Sequence, residues 1–172
     1  MASLMEELIT VISQENESYE RLLGLSSRKT PIIISGDLKT LAEITDEEQH
    51  VVADIARLEH RRQTAMKDIA IVLNKDVTTL KLTDLIRMLD KRPAEQKQLA
   101  AERDRLKTIA DNVKRVNSQN QALLQSSLEM VQFEMNILQA SKRAPETANY
   151  TKTAGTSGDV IGPEQGRFDA KQ

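Results

Sequence analysis

Residues 93–141 read PAEQKQLAAERDRLKTIADNVKRVNSQNQALLQSSLEMVQFEMNILQAS, and this stretch decides the architecture. After Pro93 it holds no glycine and no further proline. Leu99, Leu106, Ile109, Val113, Val116, Asn120, Leu124, Leu128, Val131, Met135 and Leu138 fall on one helical stripe. At about 1.5 Å of rise per residue this is a rod on the order of 70 Å long. One compact core cannot wrap such a rod, so it must lie along other long helices or along a partner. Pro93 suits the first helical position, where its missing N–H costs nothing. The stripe advances mostly by alternating steps of three and four. From Val116 through Asn120 and Leu124 to Leu128 it takes successive steps of four, which locally relaxes a left-handed supercoil. Asn120 is the polar residue of that zone: it either fixes helix register or hydrogen-bonds the backbone of a partner.

Working towards the amino terminus, Thr83 and Asp84 are placed to cap a short helix from Leu85 to Leu89, and Asn74 to Thr79 break the pattern before it. A long helix precedes the break. Leu38, Leu41, Ile44, Val51, Ile55, Leu58, Ala65, Ile69 and Val72 mark its stripe, with Glu48 as a polar interruption and Asp37 as its cap. Ser35-Gly36-Asp37 forms a tight break. Ahead of it, Ser3 is the expected N-cap of a first helix, with Glu6 and Glu7 in its first turn. Leu4, Leu8, Val11, Ile12, Tyr19, Leu22 and Leu23 carry that helix to about Arg28, and Pro31 is expected to kink or end it.

The expected fold is therefore all-α: an antiparallel bundle or coiled coil of three long helices plus one short one over residues 1–143. Beyond Ser141 the chain turns rich in Gly, Pro, Ser, Thr and Ala, and residues 144–172 read as a flexible tail whose apolar content is too thin to offset the entropy of ordering. Tyr150 and Phe168 are the aromatics of that tail, candidate anchors for a partner.

Composition narrows the chemistry. The 172 residues include no cysteine, which excludes disulfides and thiolate sites, and the formal charge is −2. Arg57, Arg61 and Arg62 are interleaved with Asp54, Glu59 and Asp68, the pattern of a solvated helix face rather than of a nucleic-acid surface. Apolar runs such as Pro31 to Ile34 are far short of the roughly twenty residues a membrane span needs. Acids near the amino terminus stand where a signal peptide needs positive charge, so a cytosolic location is expected. A bundle can house a dinuclear metal site, but that takes two Glu-x-x-His pairs. Glu47 and His50 match one, whereas Arg57 stands three residues before His60. No phosphate-binding glycine loop or nucleophile elbow is present. The reading expects no metal, no cofactor and no catalysis.

With the helices placed, four strings resemble the FlgN family of bacterial flagellar export chaperones. They are Glu15-Asn16-Glu17-Ser18-Tyr19-Glu20-Arg21-Leu22-Leu23; Ser35-Gly36-Asp37-Leu38 with Leu41 and Glu47-Glu48; Leu58-Glu59-x-x-Arg62; and Asn117-x-x-Asn120-x-x-Leu123-Leu124-x-x-Ser127-Leu128. Tyr150-x-x-x-x-Gly155 and the closing Phe168-Asp169-Ala170-Lys171 are similar to the family's tail. The resemblance implies a cytosolic chaperone that binds the carboxy-terminal helical segments of flagellar hook-associated proteins, keeps them unassembled and delivers them to the flagellar export gate. It implies client contacts at Asn120, Leu124, Leu128, Val131, Met135 and Leu138, and a contact of Tyr150 with the export-gate membrane protein. The stripe from Leu128 to Leu138 is equally readable as core or as an open groove. The rival function is a structural coiled-coil adaptor or assembly subunit that self-associates through the same stripe, and a homo-oligomer in the absence of client fits either reading.

Overall fold

A computed structural model describes residues 2–142, which form four α-helices: α1 (Ala2–Ser35), α2 (Leu38–Val72), α3 (Leu82–Met88) and α4 (Pro93–Lys142). No strand occurs among the described residues, and the all-α class stands. The chain divides into two units, residues 1–134 and residues 135–172. Of the second, the described residues are 135–142, which are helical. The tail expected over 144–172, with Tyr150 and Phe168, lies outside the described residues.

Within the first unit the helices run up, down and up. Residues early in α1 (Met5, Leu8, Ile9, Ile12) cluster with late residues of α2 (Ala65, Ile69), with Leu85 and Leu89, and with Leu99 early in α4. Further along, Leu22 and Leu25 of α1 meet Ile44, Val51 and Ile55 of α2 and Ile109 and Val113 of α4. So α2 is antiparallel to both neighbours, while α1 and α4 run the same way. Leu8, Ile12, Ile69 and Leu99 have no exposed surface, and each such burial contributes about 1.5–3 kcal/mol. The short α3 closes the end of the bundle at which α1 begins, placing Leu85 and Leu89 under it.

Two helix boundaries differ from the expectation. Ser3 is not an N-cap: α1 already begins at Ala2, because Met5 is drawn into the core, and Glu6 and Glu7 fall beyond the first turn. Nor does α1 end near Arg28, for it continues through Pro31 to Ser35. Proline removes the bond to the carbonyl of residue 27, but Ser27 and Pro31 both face solvent, where water can serve that carbonyl. The last turns are held by burial of Ile33, by packing of Ile32, and by Thr30, whose hydroxyl donates to Asn120 Oδ1 at 2.7 Å. Gly36, at φ 72°, then ends the helix, its N–H turned back to the carbonyls of Ile32 and Ile33. Asp37 caps α2 as expected, accepting from the backbone N–H of Thr40 at 3.1 Å and from its hydroxyl at 2.6 Å. These bonds hold its carboxyl below the ordinary carboxylate range. The short helix starts earlier than Leu85, and Asp84 acts from its first turn by accepting the Lys81 N–H at 3.2 Å.

Polar groups pin the helices at three levels. At the first, Glu15 is fully buried with Arg62 of α2 beside it: Arg62 Nε lies 2.8 Å from Oε2 and 3.1 Å from Oε1, with its N–H aligned on Oε1. Tyr19 donates to Glu59 at 3.1 Å, and buried Asn16 donates to the backbone carbonyl and the carboxylate of Glu102 in α4. Burial pushes the Glu15 carboxyl up despite the Arg62 charge, and burial with the nearby Glu59 charge pushes the Tyr19 hydroxyl up to about 12. At the second level Glu48 accepts from Ser26 at 2.9 Å and Lys29 at 2.7 Å. At the third, Asn120 joins α4 to α1. Arg62 thus departs from the solvated face expected of its cluster, while Arg57 and Arg61 are exposed as expected.

Candidate functional site

The site grows out of the place where α4 outlasts its neighbours. Asn120 is only 4% exposed: its amide donates to the Ser26 carbonyl at 2.7 Å and its oxygen accepts from Thr30. Five residues past Thr30, α1 ends at Ser35 and the chain reverses at Gly36. With α1 and α4 parallel, the corresponding advance along α4 reaches Gln125. Leu123 and Leu124 are half-buried there, and every residue from Gln125 to Glu134 is exposed. The helix nevertheless stays apolar: Leu128 is 64%, Met130 64%, Val131 53% and Phe133 65% exposed. In the second unit Met135, Ile137 and Leu138 are exposed as well.

Of the six residues expected to meet a client, the structure therefore separates Asn120, held inside the bundle, from Leu128 and Val131, which face solvent. Leu124 stands at the border. Met135 and Leu138, in the second unit, are solvent-facing too. The expected export-gate contact, Tyr150, lies outside the described residues. Earlier along the same stripe, Ile109, Val113 and Val116 are buried.

The polar composition changes with the burial. Up to Arg115, α4 carries charges of both signs, including Arg103, Asp104, Arg105, Lys114 and Arg115. From Val116 to Ser141 its only charged side chains are Glu129 and Glu134, and the other polar residues are Asn, Gln and Ser. Glu129 accepts from Gln125 at 3.0 Å. A face poor in charge and supplied with Met, Phe and Leu is the composition of a protein–protein interface core rather than of an ordinary solvated surface.

The sequence reading missed the tip of the α1–α2 hairpin. Leu38, assigned to the buried stripe of the second helix, is 75% exposed, and Ile34 is exposed beside the turn. Leu38 is the first residue of α2, and α4 at that level bears Leu123 and Leu124 on its half-buried side. The position of a residue at a helix end was the available signal.

Among the described residues no group of three or more His, Asp or Glu converges as a metal site would require, and His50 and His60 are exposed. No helix among them is long and apolar enough to cross a membrane.

The family model for FlgN protein matches residues 1–158. The chain belongs to the FlgN family. It is therefore a flagellar export chaperone in the general sense that the family defines. No curated protein and no solved structure matches it. The family strings coincide with the polar pins of the bundle: Glu15 and Tyr19 from the first string meet Arg62 and Glu59 from the third, Glu48 receives Ser26, and Asn120 joins α1. In this FlgN-family chain those residues bond one helix to another. The exposed Leu128 and Val131 lie eight and eleven residues past Asn120.

Proposed function

We propose that this chain is a cytosolic chaperone that binds the carboxy-terminal helical segments of flagellar hook-associated proteins, keeps them from assembling and delivers them to the export gate. The observation that supports this most is the exposed, nearly uncharged end of α4, where Leu128 and Val131 continue a stripe that is buried up to Val116. An amphipathic client helix needs such anchors at i, i+3 spacing. Methionine and phenylalanine beside them adapt to more than one partner surface. Met135 and Leu138 are further proposed client contacts, with Leu124 at the edge of the surface. Asn120 serves register, because both polar ends of its side chain are already bonded to α1.

Tyr150 is proposed as the contact with the export-gate membrane protein, a separate task from holding the client. The test is size-exclusion chromatography with light scattering on the chain mixed with a hook-associated protein from the same bacterium. A one-to-one complex is expected from the wild type and from Tyr150→Ala, and none from Leu128→Ser/Val131→Ser. Secretion of the hook-associated protein should fall in cells carrying Tyr150→Ala. Wild-type chain that ignores the client and self-associates through α4 would instead make the adaptor reading the better one.

A further inference from the structure

The apolar end of α4 has two faces. At 3.6 residues per turn each residue advances roughly 100°, so Leu128 and Val131 share one face while Met130 and Phe133 share another, about 160° away around the axis. All four are more than half exposed. Glu129 and Glu134 occupy the two seams between these faces, one on each side. A partner helix covers a stripe on the order of 100° wide. A single docked helix that buries Leu128 and Val131 must therefore leave Met130 and Phe133 in water.

We infer that the occupant supplies two helices, which clasp α4 on opposite faces and carry Lys or Arg along the seams beside Glu129 and Glu134. This rests on the chaperone reading and deepens it by specifying what the client must present. In the first unit α1 and α2 both pack along one apolar stripe of α4, at Ile109 and Val113, and the opposite face, with Lys107, Asp111, Lys114 and Arg115, is charged and exposed. Past the end of α1 both faces of α4 are apolar, so the occupant must cover more of the helix than the bundle does. A second copy of this chain fits poorly. Its α4 end offers one helix to one face and leaves the other bare. Between Val116 and Ser141 it also has no basic residue to set against Glu129 and Glu134, so two copies bring carboxylates together.

The experiment is calorimetric titration of the full chain with an intact hook-associated protein and, separately, with a synthetic peptide of that protein's last helix alone. Three variants accompany the wild type: Leu128→Ser/Val131→Ser, Met130→Ser/Phe133→Ser and Glu129→Gln/Glu134→Gln. Since these side chains are exposed, each variant should retain the wild-type helical circular dichroism and melting curve. Both apolar pairs should weaken the intact client by about tenfold or more, the loss expected when anchors worth over 1 kcal/mol are truncated. The single-helix peptide should be sensitive to only one of the two pairs. The glutamine pair should reduce the dependence of client affinity on salt. Unchanged client affinity in Met130→Ser/Phe133→Ser would overturn the two-helix clasp while leaving the chaperone reading intact. A wild-type dimer in light scattering that dissociates in that same variant would overturn the clasp in favour of a second copy. Wild-type chain with no affinity for the intact client would overturn the chaperone reading itself.

Discussion

Glu15 shows what one residue contributes when it is buried for the sake of register. Its carboxylate is held by Arg62, yet burial raises its pKa above the ordinary 4.5. The folded chain then holds the proton more tightly than the unfolded chain does. The contribution of the group to stability is fully present below about pH 4.5 and declines as pH rises through the raised folded value. Glu15→Gln removes that dependence. In urea titrations the variant should match the wild type near pH 4 and gain on it towards pH 7; a variant that falls behind at pH 7 would show that the Arg62 pair outweighs the burial. Asn120 makes the opposite case, since it is buried with both ends satisfied. Asn120→Ala removes two hydrogen bonds, one to the Ser26 carbonyl and one from the Thr30 hydroxyl, and should cost about 1–3 kcal/mol in the same titration. Neither pairing could be read from the chain. Glu15 and Arg62 are 47 positions apart and Asn120 is 94 from Ser26, and a sequence records helix faces but not which faces meet. What the residues did show was that a polar group stood on an apolar stripe, at Glu48 and at Asn120.

Among the elements, α2 and α4 were legible almost to the residue because their ends carry chemistry that acts locally: Asp37 caps one, Pro93 opens the other, and the apolar spacing does not falter between. The end of α1 was misread because Pro31 stops an isolated helix, whereas here Ile32, Ile33 and Thr30 hold the turn through tertiary contacts. Replacement by alanine measures the conflict. Proline in a helix interior costs about 3 kcal/mol, of which up to about 1 kcal/mol is returned by its restriction of the unfolded chain. Pro31→Ala, on an exposed face, should therefore stabilise the protein and raise the urea midpoint. A lower midpoint would mean that the proline shapes the path of the helix and that Ile33 packs only along that path. At the other end of the bundle, Leu8→Ala removes a fully buried side chain and should cost about 2–5 kcal/mol.

For the molecule as a whole, the helical stripe was legible but its covering was not. Ile109, Val113, Leu128 and Val131 follow the same spacing and look alike in sequence. What separates them is the reach of the α1–α2 hairpin: α1 is bonded to α4 at Asn120, and the chain reverses soon after, at Gly36. A protein whose longest helix packs into a core along its first part and carries exposed apolar side chains from Leu128 onward is organised to hold another protein. Such an end of α4 should be its least protected helical segment, because few buried contacts oppose local opening there. Hydrogen exchange with mass spectrometry, on the chain alone and with a hook-associated protein bound, tests this most directly. In the free chain the amides from Gln125 to Glu134 should exchange fast and those from Leu99 to Val116 slowly; client should slow the first group and leave the second unchanged. Client-induced protection confined to α1 and α2, with Gln125 to Glu134 still exchanging fast, would contradict the account.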